Sequence, residues 1–310
     1  MVDVALSLVP VFTLIALGAL LRRAELLKLE QWIGIERLTY YVLFPPLMFT
    51  SIVGGAFAGA EALLLAIGLT ASVALMTGLM LLLRPVLPMT GSQFSSVFQS
   101  GLRWNGYVAL GVISSLHGPQ GLALSAVGFA ALAPINDALS LLVSNRFAGA
   151  KPQPNWKLVL RLLANPLIIA AALACGAVAL GLRPTAPVER TLHLLGDATV
   201  SLGLICVGAS LDVRHIESKA AHLPLALGTV LRLWVMPAIA ATLCVFLGLS
   251  GMALQVGVIC AAAPAATTAY ALSRTSGADS ELMSNLITIT TVLSVLTLPA
   301  SILIVQALLR

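Results

Sequence analysis

Two short interruptions of long apolar runs carry the residues of this chain that could do chemistry. Residues 103–107 read Arg-Trp-Asn-Gly-Tyr, and residues 263–268 read Ala-Pro-Ala-Ala-Thr-Thr. Asn105-Gly106 and Pro264 are unfavourable inside a helix, so each segment predicts a break. A helix that restarts after a break presents N–H groups without partners and a partial positive charge. The chemistry predicted at both segments is therefore binding of an anion, above all a carboxylate.

The two interruptions occupy corresponding places in the two halves of the sequence. When residues 92–118 are aligned without gaps to residues 251–277, Asn105 lies opposite Pro264 and a glycine ends each segment. The pair Glu-Arg also begins both the second and the seventh apolar run, at residues 36 and 189. Matched interruptions of this kind indicate a binding site between internal repeats.

The composition indicates a protein that lies within a lipid bilayer. Of the 310 residues, 59% are hydrophobic and 9% are charged, and the mean hydropathy is +1.02. A soluble domain carries about 25% charged residues. The formal net charge of +5 is spread over loops and not clustered, so no nucleic-acid partner is predicted.

Charged residues, glycines and prolines divide the chain into ten predicted spans of the length that a bilayer requires. They lie near residues 3–21, 33–53, 61–83, 93–117, 120–144, 165–181, 190–211, 221–248, 252–273 and 283–308. Five spans fall in residues 1–150 and five in residues 151–310. Because an odd number of spans reverses direction, we expect the second half to be an inverted copy of the first. The broken fourth and ninth spans are expected to cross inside the protein, away from lipid.

The placement of lysine and arginine predicts the orientation. With the N-terminus outside, twelve of the 17 basic residues lie on the inner side, in loops or at helix ends. The outer side then holds Arg183, Arg190 and Arg310, and Arg103 and Arg232 lie within spans. This distribution follows the positive-inside rule and places both termini outside.

The segment between the two halves begins with a stiff turn that contains two prolines, at residues 151–154. Residues 156–163 could form a short amphipathic helix on the inner membrane surface. An ordinary linker into the sixth span is the alternative.

The predicted substrate contacts are the residues at the two breaks: Asn105, Gly106, Tyr107, Pro264, Ala265, Thr267 and Thr268. The side chains of Asn105, Thr267 and Thr268 can add hydrogen bonds to those of the helix ends. The alternative is a simple proline kink or a glycine packing notch, both of which are common in membrane helices. Two interruptions at matched positions favour the binding site.

Three further polar residues are candidates for adjusting the charge of the site or for coupling transport to a proton or cation: Arg103, Asn136 and Asp137. A charge at the centre of a span costs about 2.5–3.5 kcal/mol on insertion scales, so such residues are rare and functional. Arg103 either attracts an anion or braces the crossing, or it is a buried partner for Asp137. Asn136 and Asp137 either bind a coupling proton or cation, or cap an irregular helix.

Other polar residues within spans predict structural roles and no catalysis. Asp197 and Arg232 suit an ion pair or helix-end positions. The four cysteines lie in apolar runs without metal-ligand spacing, so neither a metal nor a cofactor is predicted. The sequence contains no zinc-protease motif, no paired aspartates, no nucleophile with a nearby base and no ATP-binding motif, so an enzyme is not expected.

The sequence resembles the auxin efflux carrier family over essentially its whole length. The matching segments are residues 9–12, 16–23, 41–49, 134–136, 207–211 and 277–279, together with Asn105 and Pro264. This family includes plant PIN auxin exporters and bacterial carriers assigned to malonate or malate. The chain lacks the long hydrophilic loop of the plant exporters, and so resembles a compact bacterial member in the inner membrane.

The chain departs from the family pattern in its fourth span. Trp104 stands where plant members have a proline, and Val112 stands where many members have another. The first break therefore depends on Asn105-Gly106.

The resemblance implies the ten-helix inverted-repeat fold of sodium/proton antiporters and bile-acid symporters. Spans 1, 2, 6 and 7 would form a scaffold and a homodimer interface. Spans 3–5 and 8–10 would form a mobile transport domain. Asn105 and Pro264 match the family's crossover asparagine and ninth-helix proline.

These patterns together predict a secondary carrier of a small organic anion, either auxin-like or a dicarboxylate, that works by elevator-type alternating access. Coupling to protons or sodium is left open. One alternative is a sodium-coupled symporter of the bile-acid type on the same fold. A non-transporting membrane sensor is the other.

Overall fold

The computed structural model describes residues 2–55, 59–149, 164–211 and 222–308, and these form helices joined by short connections. In chain order the helices are α1 Val2–Arg23, α2 Leu29–Leu38, α3 Phe44–Gly54, α4 Gly59–Leu83, α5 Gly91–Leu102, α6 Gly106–Phe147, α7 Pro166–Ala179, α8 Ala186–Ser210, α9 His222–Val230, α10 Met236–Phe246, α11 Gly251–Ala262, α12 Thr268–Thr275 and α13 Ser280–Leu308. An isolated antiparallel bridge joins Trp104 to Ala265. The predicted surface helix at residues 156–163 lies outside the described residues.

Six helical segments of the described chain are long and apolar enough to cross a bilayer. They are Leu6–Arg23, Gly59–Val86, Gly106–Phe147, Ala186–Ser210, His222–Phe246 and Ser280–Ala307, and α7 and α11 are shorter apolar helices. Large apolar side chains such as Leu6, Phe246 and Leu296 lie exposed on the outer surface, which suits contact with lipid. The chain is therefore an all-helical polytopic membrane protein, as the sequence predicted. The count of ten spans stays a prediction.

Two helical paths pass through a π-helical turn beside prolines. Thr39–Leu43 connects α2 to α3 directly before Pro45 and Pro46, and Leu231–Val235 connects α9 to α10 directly before Pro237. A proline has no N–H to donate, and its ring clashes with the carbonyl four residues earlier. The wider turn accommodates this clash, so that each pair of helices remains one continuous path.

Gly118 divides the long helix α6 into two parts. Its φ of 57° and ψ of −148° are not helical, and glycine adopts them without steric cost. The kink separates the predicted second half of span 4 from span 5. Gly277, the residue aligned with Gly118 in the second half, also has a positive φ, of 73°, just after α12 ends.

The helices α1 and α8 pack closely because glycines face backbone at their contact. A β-carbon on Gly18 would lie 2.0 Å from the carbonyl oxygen of Ile205, and one on Gly208 would lie 1.8 Å from that of Ile15. Small residues allow this close approach of helices in membranes, where van der Waals packing drives association. The α8 helix also packs against α3, so α1, α3 and α8 form one packed group.

This close approach predicts that Gly208→Ala separates α1 from α8 and destabilises the protein. Overpacking costs about 1–3 kcal/mol in the free energy of unfolding. The measurement is the thermal unfolding midpoint of the detergent-solubilised protein, followed by circular dichroism. Gly176→Ala on α7 is the matched control, because no atom lies within 4 Å of a β-carbon there. Equal midpoints for the two variants would contradict the packing argument.

Candidate functional site

The two predicted breaks are present, and they pair with each other. One separates α5 from α6, and the other separates α11 from α12. The amide of Asn105 donates to the carbonyl oxygen of Pro264 at 2.7 Å, and the amide of Ala266 donates to that of Arg103 at 2.9 Å. Each break therefore satisfies backbone groups that the other leaves open, as the interior of a membrane protein requires.

Side chains complete the hydrogen bonding of both breaks. The amide of Ala265 donates to Oγ1 of Thr290, on α13, at 3.1 Å. The Oδ1 atom of Asn105 accepts from the amides of Tyr107 at 3.1 Å and Val108 at 3.2 Å, so that Asn105 is the N-cap of α6. These two amides at the start of α6 are thus already occupied, whereas the sequence analysis expected them to be open to a ligand.

The N-terminal end of α12 offers donors instead. The amides of Ala269 and Tyr270 bond to the carbonyls of Ala266 and Thr267, each at 3.1 Å. Within the described ranges, the amides of Thr267 and Thr268 donate to no other residue. Partial positive charge and unused N–H groups coincide there, which is the arrangement that binds an anion.

Arg232 donates hydrogen bonds to the C-terminal ends of the two helices that precede the breaks, α5 and α11. It lies in the π-helical turn between α9 and α10 and is 0% exposed. Its guanidinium donates to the carbonyl oxygen of Gly101, at the end of α5, at 3.1 Å, and to that of Ala261, at the end of α11. The last carbonyls of a helix lack internal partners and carry partial negative charge, so one buried cation serves both ends. The structural role expected for Arg232 thus involves carbonyls and not Asp197, which is exposed on α8.

A cleft with about 650 Å³ of empty volume lies beside the paired breaks. Eight of the ten predicted site residues line it: Arg103, Asn105, Gly106, Tyr107, Asn136, Asp137, Thr267 and Thr268. Pro264 and Ala265, which take part in the pairing of the breaks, are not on its wall. The pairing thus collects residues of both breaks, of α6 and of α12 around one space.

The polar wall of the cleft is built around Arg103. Its guanidinium forms an ion pair with Asp137, on α6, and donates to Oγ1 of Thr268 at 3.0 Å. The sequence left open whether Asp137 is the partner of Arg103, and the structure contains that ion pair. The neighbouring Asn136 is 6% exposed, and its Oδ1 atom has no hydrogen-bond partner among the described residues. A buried acceptor of this kind is costly unless a ligand, water or ion satisfies it.

Much of the remaining wall of the cleft is aromatic. Five aromatic side chains line it: Tyr40, Phe44, Trp104, Tyr107 and Phe129. The ring centroids of Phe44 and Tyr107 are 5.5 Å apart, and the ring of Phe129 meets that of Trp104 edge to face at 6.0 Å. The cleft therefore combines a cation and hydroxyl groups with the faces and edges of aromatic rings.

A second cavity, here called the vestibule, has about 2020 Å³ of empty volume and borders the first at Thr267. It lies among the C-terminal ends of α1 and α8, the helices α2 and α12, and the first turns of α13. Glu36, on α2, lines it and accepts a hydrogen bond from Oγ1 of Thr267 at 2.7 Å. Thr267 is thus the residue shared by both cavities.

A family model described as membrane transport protein matches residues 136–302, just over half of the chain. The chain belongs to this family of membrane transporters. The resemblance to the auxin efflux carriers is thereby confirmed. An uncharacterized transporter of Methanothermobacter thermautotrophicus is 26% identical to this transporter over 296 residues, which are 94% of this chain and 95% of the relative.

Sequence reasoning missed several contributors to the site of this transporter, among them Glu36, Tyr40, Phe44 and Phe129. Glu36 contacts Thr267 although the two residues are 231 positions apart, and its only sequence signal was a charge at the beginning of a span. Tyr40 lines the cleft from the π-helical turn between α2 and α3. Its position one turn before Phe44, which also lines the cleft, is the signal that could have identified it.

Arg232 generates a prediction about stability. The change Arg232→Met leaves two buried carbonyl oxygens without donors, and each costs about 1–3 kcal/mol. We expect a lower thermal unfolding midpoint in detergent, measured by circular dichroism. Arg190→Met, at an exposed position of α8, is the control and leaves the midpoint unchanged. A midpoint for Arg232→Met that equals that of the control would show that the carbonyl contacts are unimportant.

Proposed function

We propose that this transporter is a secondary carrier of a small organic anion that contains a carboxylate and an apolar body. The observation that supports this most strongly is the cleft beside the paired breaks, since it places the N-terminal end of α12 and Arg103 next to a cluster of aromatic rings. Pockets for small molecules are typically apolar concavities with a few well-placed polar groups. The cleft has this composition.

The carboxylate is proposed to bind at the N-terminal end of α12. The Thr268 hydroxyl accepts from Arg103, and its own hydrogen is available for a ligand. The amides of Thr267 and Thr268 are two further donors. Arg103 is neutralised in part by Asp137, so that it supplies a directed donor more than a net charge. Of the predicted contacts, Asn105 acts by capping α6 and holding Gly106 and Tyr107 in the wall.

The aromatic wall favours an auxin-like anion over a small dicarboxylate. Aromatic pairs contribute about 0.5–1.5 kcal/mol beyond their buried area. A dicarboxylate such as malonate would place its second charge against the rings of Phe44 and Phe129, which offer it no hydrogen-bond donor. A planar apolar body would fill the same space at no such cost.

We propose that the carrier works by an elevator-type mechanism on two inverted repeats, residues 1–150 and 151–310. Three features support the repeat: the mutual pairing of the breaks, the equal length of α5 and α11 at 12 residues, and the positive φ of Gly118 and Gly277. The packing of α1 on α8, and of α3 on both α7 and α8, supports a scaffold of spans 1, 2, 6 and 7. Spans 3–5 and 8–10 would then form the mobile transport domain.

The proposed setting is a bacterial inner membrane with both termini outside and a homodimer formed by the scaffold. Arg22, Arg23, Lys28 and Arg274 line the vestibule, so four basic residues share one face of the molecule. The positive-inside rule makes that face the cytoplasmic one. The vestibule would then be the inner approach to the site.

A sodium-coupled symporter remains the second candidate, and a single observation favours it. The Oδ1 atom of buried Asn136 has no partner among the described residues, and amide oxygens are ligands for hard cations. Asp137, the carboxylate expected beside it, is paired with Arg103 instead. The symporter therefore requires that this ion pair opens, which the anion carrier does not.

The change Thr268→Val tests the carboxylate site. It removes a hydroxyl that donates to the anion, and a hydrogen bond to a charged group contributes about 1.5–3 kcal/mol, which is about tenfold or more in affinity. We expect uptake of labelled indole-3-acetate into proteoliposomes to fall by about that factor. Thr242→Val is the matched control, because the Thr242 hydroxyl bonds to a carbonyl of its own helix α10.

Two outcomes of this experiment would contradict the proposal. One is uptake by Thr268→Val at the rate of the control. The other is the absence of carboxylate transport by the wild-type protein for indole-3-acetate, malonate and malate alike, which would favour the sensor. Dependence on sodium would select the symporter.

The change Phe129→Leu tests the aromatic wall. It keeps an apolar side chain but removes a ring that contacts the proposed apolar body, so we expect indole-3-acetate to bind about two- to tenfold more weakly. Malonate, where it binds, should be unaffected. The measurement is the ratio of the two dissociation constants. Phe94→Leu is the control, because Phe94 packs against Phe98 and Phe147 away from the cleft. Equal loss of both ligands would refute an aromatic subsite.

A further inference from the structure

Glu36 occupies the boundary between the cleft and the vestibule. It lies on α2, whereas its hydrogen-bond donor Thr267 lies directly before α12, and the distance between Oε1 and Oγ1 is 2.7 Å. Among the described residues Glu36 forms no ion pair within 4 Å. A carboxylate of the protein thus stands at the helix end proposed to bind the carboxylate of the substrate.

The Thr267 hydroxyl cannot serve both carboxylates at once. A hydroxyl has a single hydrogen to donate, and a charged carboxylate can only accept. While Glu36 is charged, it holds that hydrogen on the vestibule side. If Glu36 binds a proton, it can donate to the oxygen of Thr267, and the hydrogen of Thr267 becomes available on the cleft side.

Glu36 shares the vestibule with charged and polar groups of the protein. The wall of the vestibule contributes four cations, namely Arg22 and Arg23 from α1, Lys28 before α2 and Arg274 from α12. Glu25 and Tyr270 also line it.

The neutral side chains that face Glu36 from the protein are Tyr107, on α6, and Cys206, on α8. Arg37, the neighbour of Glu36 on α2, is exposed. No second carboxylate of the described chain takes part in the contact with Thr267. An anion that binds in the cleft therefore places a second carboxylate beside the one of Glu36. Two carboxylates that share one site cannot both remain ionised.

We propose that Glu36 is the proton-coupling residue of the carrier. It binds one proton when a carboxylate enters the cleft, and the substrate then replaces Glu36 as the acceptor of the hydrogen bond from Thr267. This inference rests on the proposed function. It explains why one threonine lies at the border of both cavities, and it assigns the coupling to a residue outside the predicted charge and coupling set Arg103, Asn136 and Asp137.

The step balances in charge and atoms. One proton leaves the water of the vestibule and bonds to a carboxylate oxygen of Glu36. The Thr267 hydroxyl then donates to the substrate, and no covalent bond of the substrate changes. The net charge of the site is the same before and after binding, because one negative charge and one proton enter together. Release of the anion reverses both transfers.

The experiment measures proton uptake on ligand binding. Purified full-length protein in a weakly buffered solution with a pH indicator receives indole-3-acetate or malonate, and the protons bound are compared with the anion bound. We expect about one proton per anion for wild type, with affinity that rises as the pH falls by up to about tenfold per pH unit. Glu36→Gln, which is permanently neutral, should bind the anion without proton uptake and with an affinity that no longer depends on pH.

Glu30→Gln is the matched control, because Glu30 is an exposed glutamate on the same helix. It should retain the proton uptake of wild type. Anion binding to wild type without proton uptake would overturn the role of Glu36, whether or not Glu36→Gln folds. Undiminished uptake in Glu36→Gln would overturn it equally. Both results leave the proposed carrier function intact, whereas failure of wild type to bind either anion would overturn that function and this inference with it.

Discussion

The pairing of two helix breaks at the centre of the molecule is the constraint on which the rest of the site depends. A broken helix in lipid is unstable because its open N–H and C=O groups have no water to bond. Here the backbone of Asn105 meets that of Pro264, and Arg103 meets Ala266, so neither break is tolerable without the other. The cleft follows from this pairing, because it forces four helix ends to one place and leaves side chains to fill the space between them.

The sequence predicted the features that depend on local chemistry. Asn-Gly and proline predicted the two breaks, and the apolar composition predicted a polytopic membrane protein. The polar residues beside the breaks predicted most of the polar wall of the cleft. These succeed because a residue that disfavours a helix acts on its own neighbours. The spans themselves were harder to delimit. Predicted spans four and five meet at Gly118, where the non-helical backbone kinks the long helix α6, and predicted span four itself contains the break between α5 and α6.

What the sequence could not reveal depends on contacts between distant segments. Asn105 was expected to face the ligand, but its side chain caps α6, a role visible only from the φ and ψ of the residues around it. Arg232 was expected in an ion pair or at a helix end, and it bonds to carbonyls at the ends of two other helices, α5 and α11, which the sequence does not connect to it. Glu36 shows the same limit, because nothing local connects it to Thr267.

The charge distribution at the centre explains why the proposed carrier would couple an anion to a proton. Each helix end carries about half an elementary charge. The C-terminal ends of α5 and α11 together offset Arg232, and the N-terminal end of α12 offsets Glu36 in part, since Glu36 contacts Thr267 directly before that helix. Arg103 and Asp137 offset each other. An anion that binds to this balanced centre adds an uncompensated charge at low dielectric, which is costly. Protonation of Glu36 restores the balance without moving any of the buried arginines.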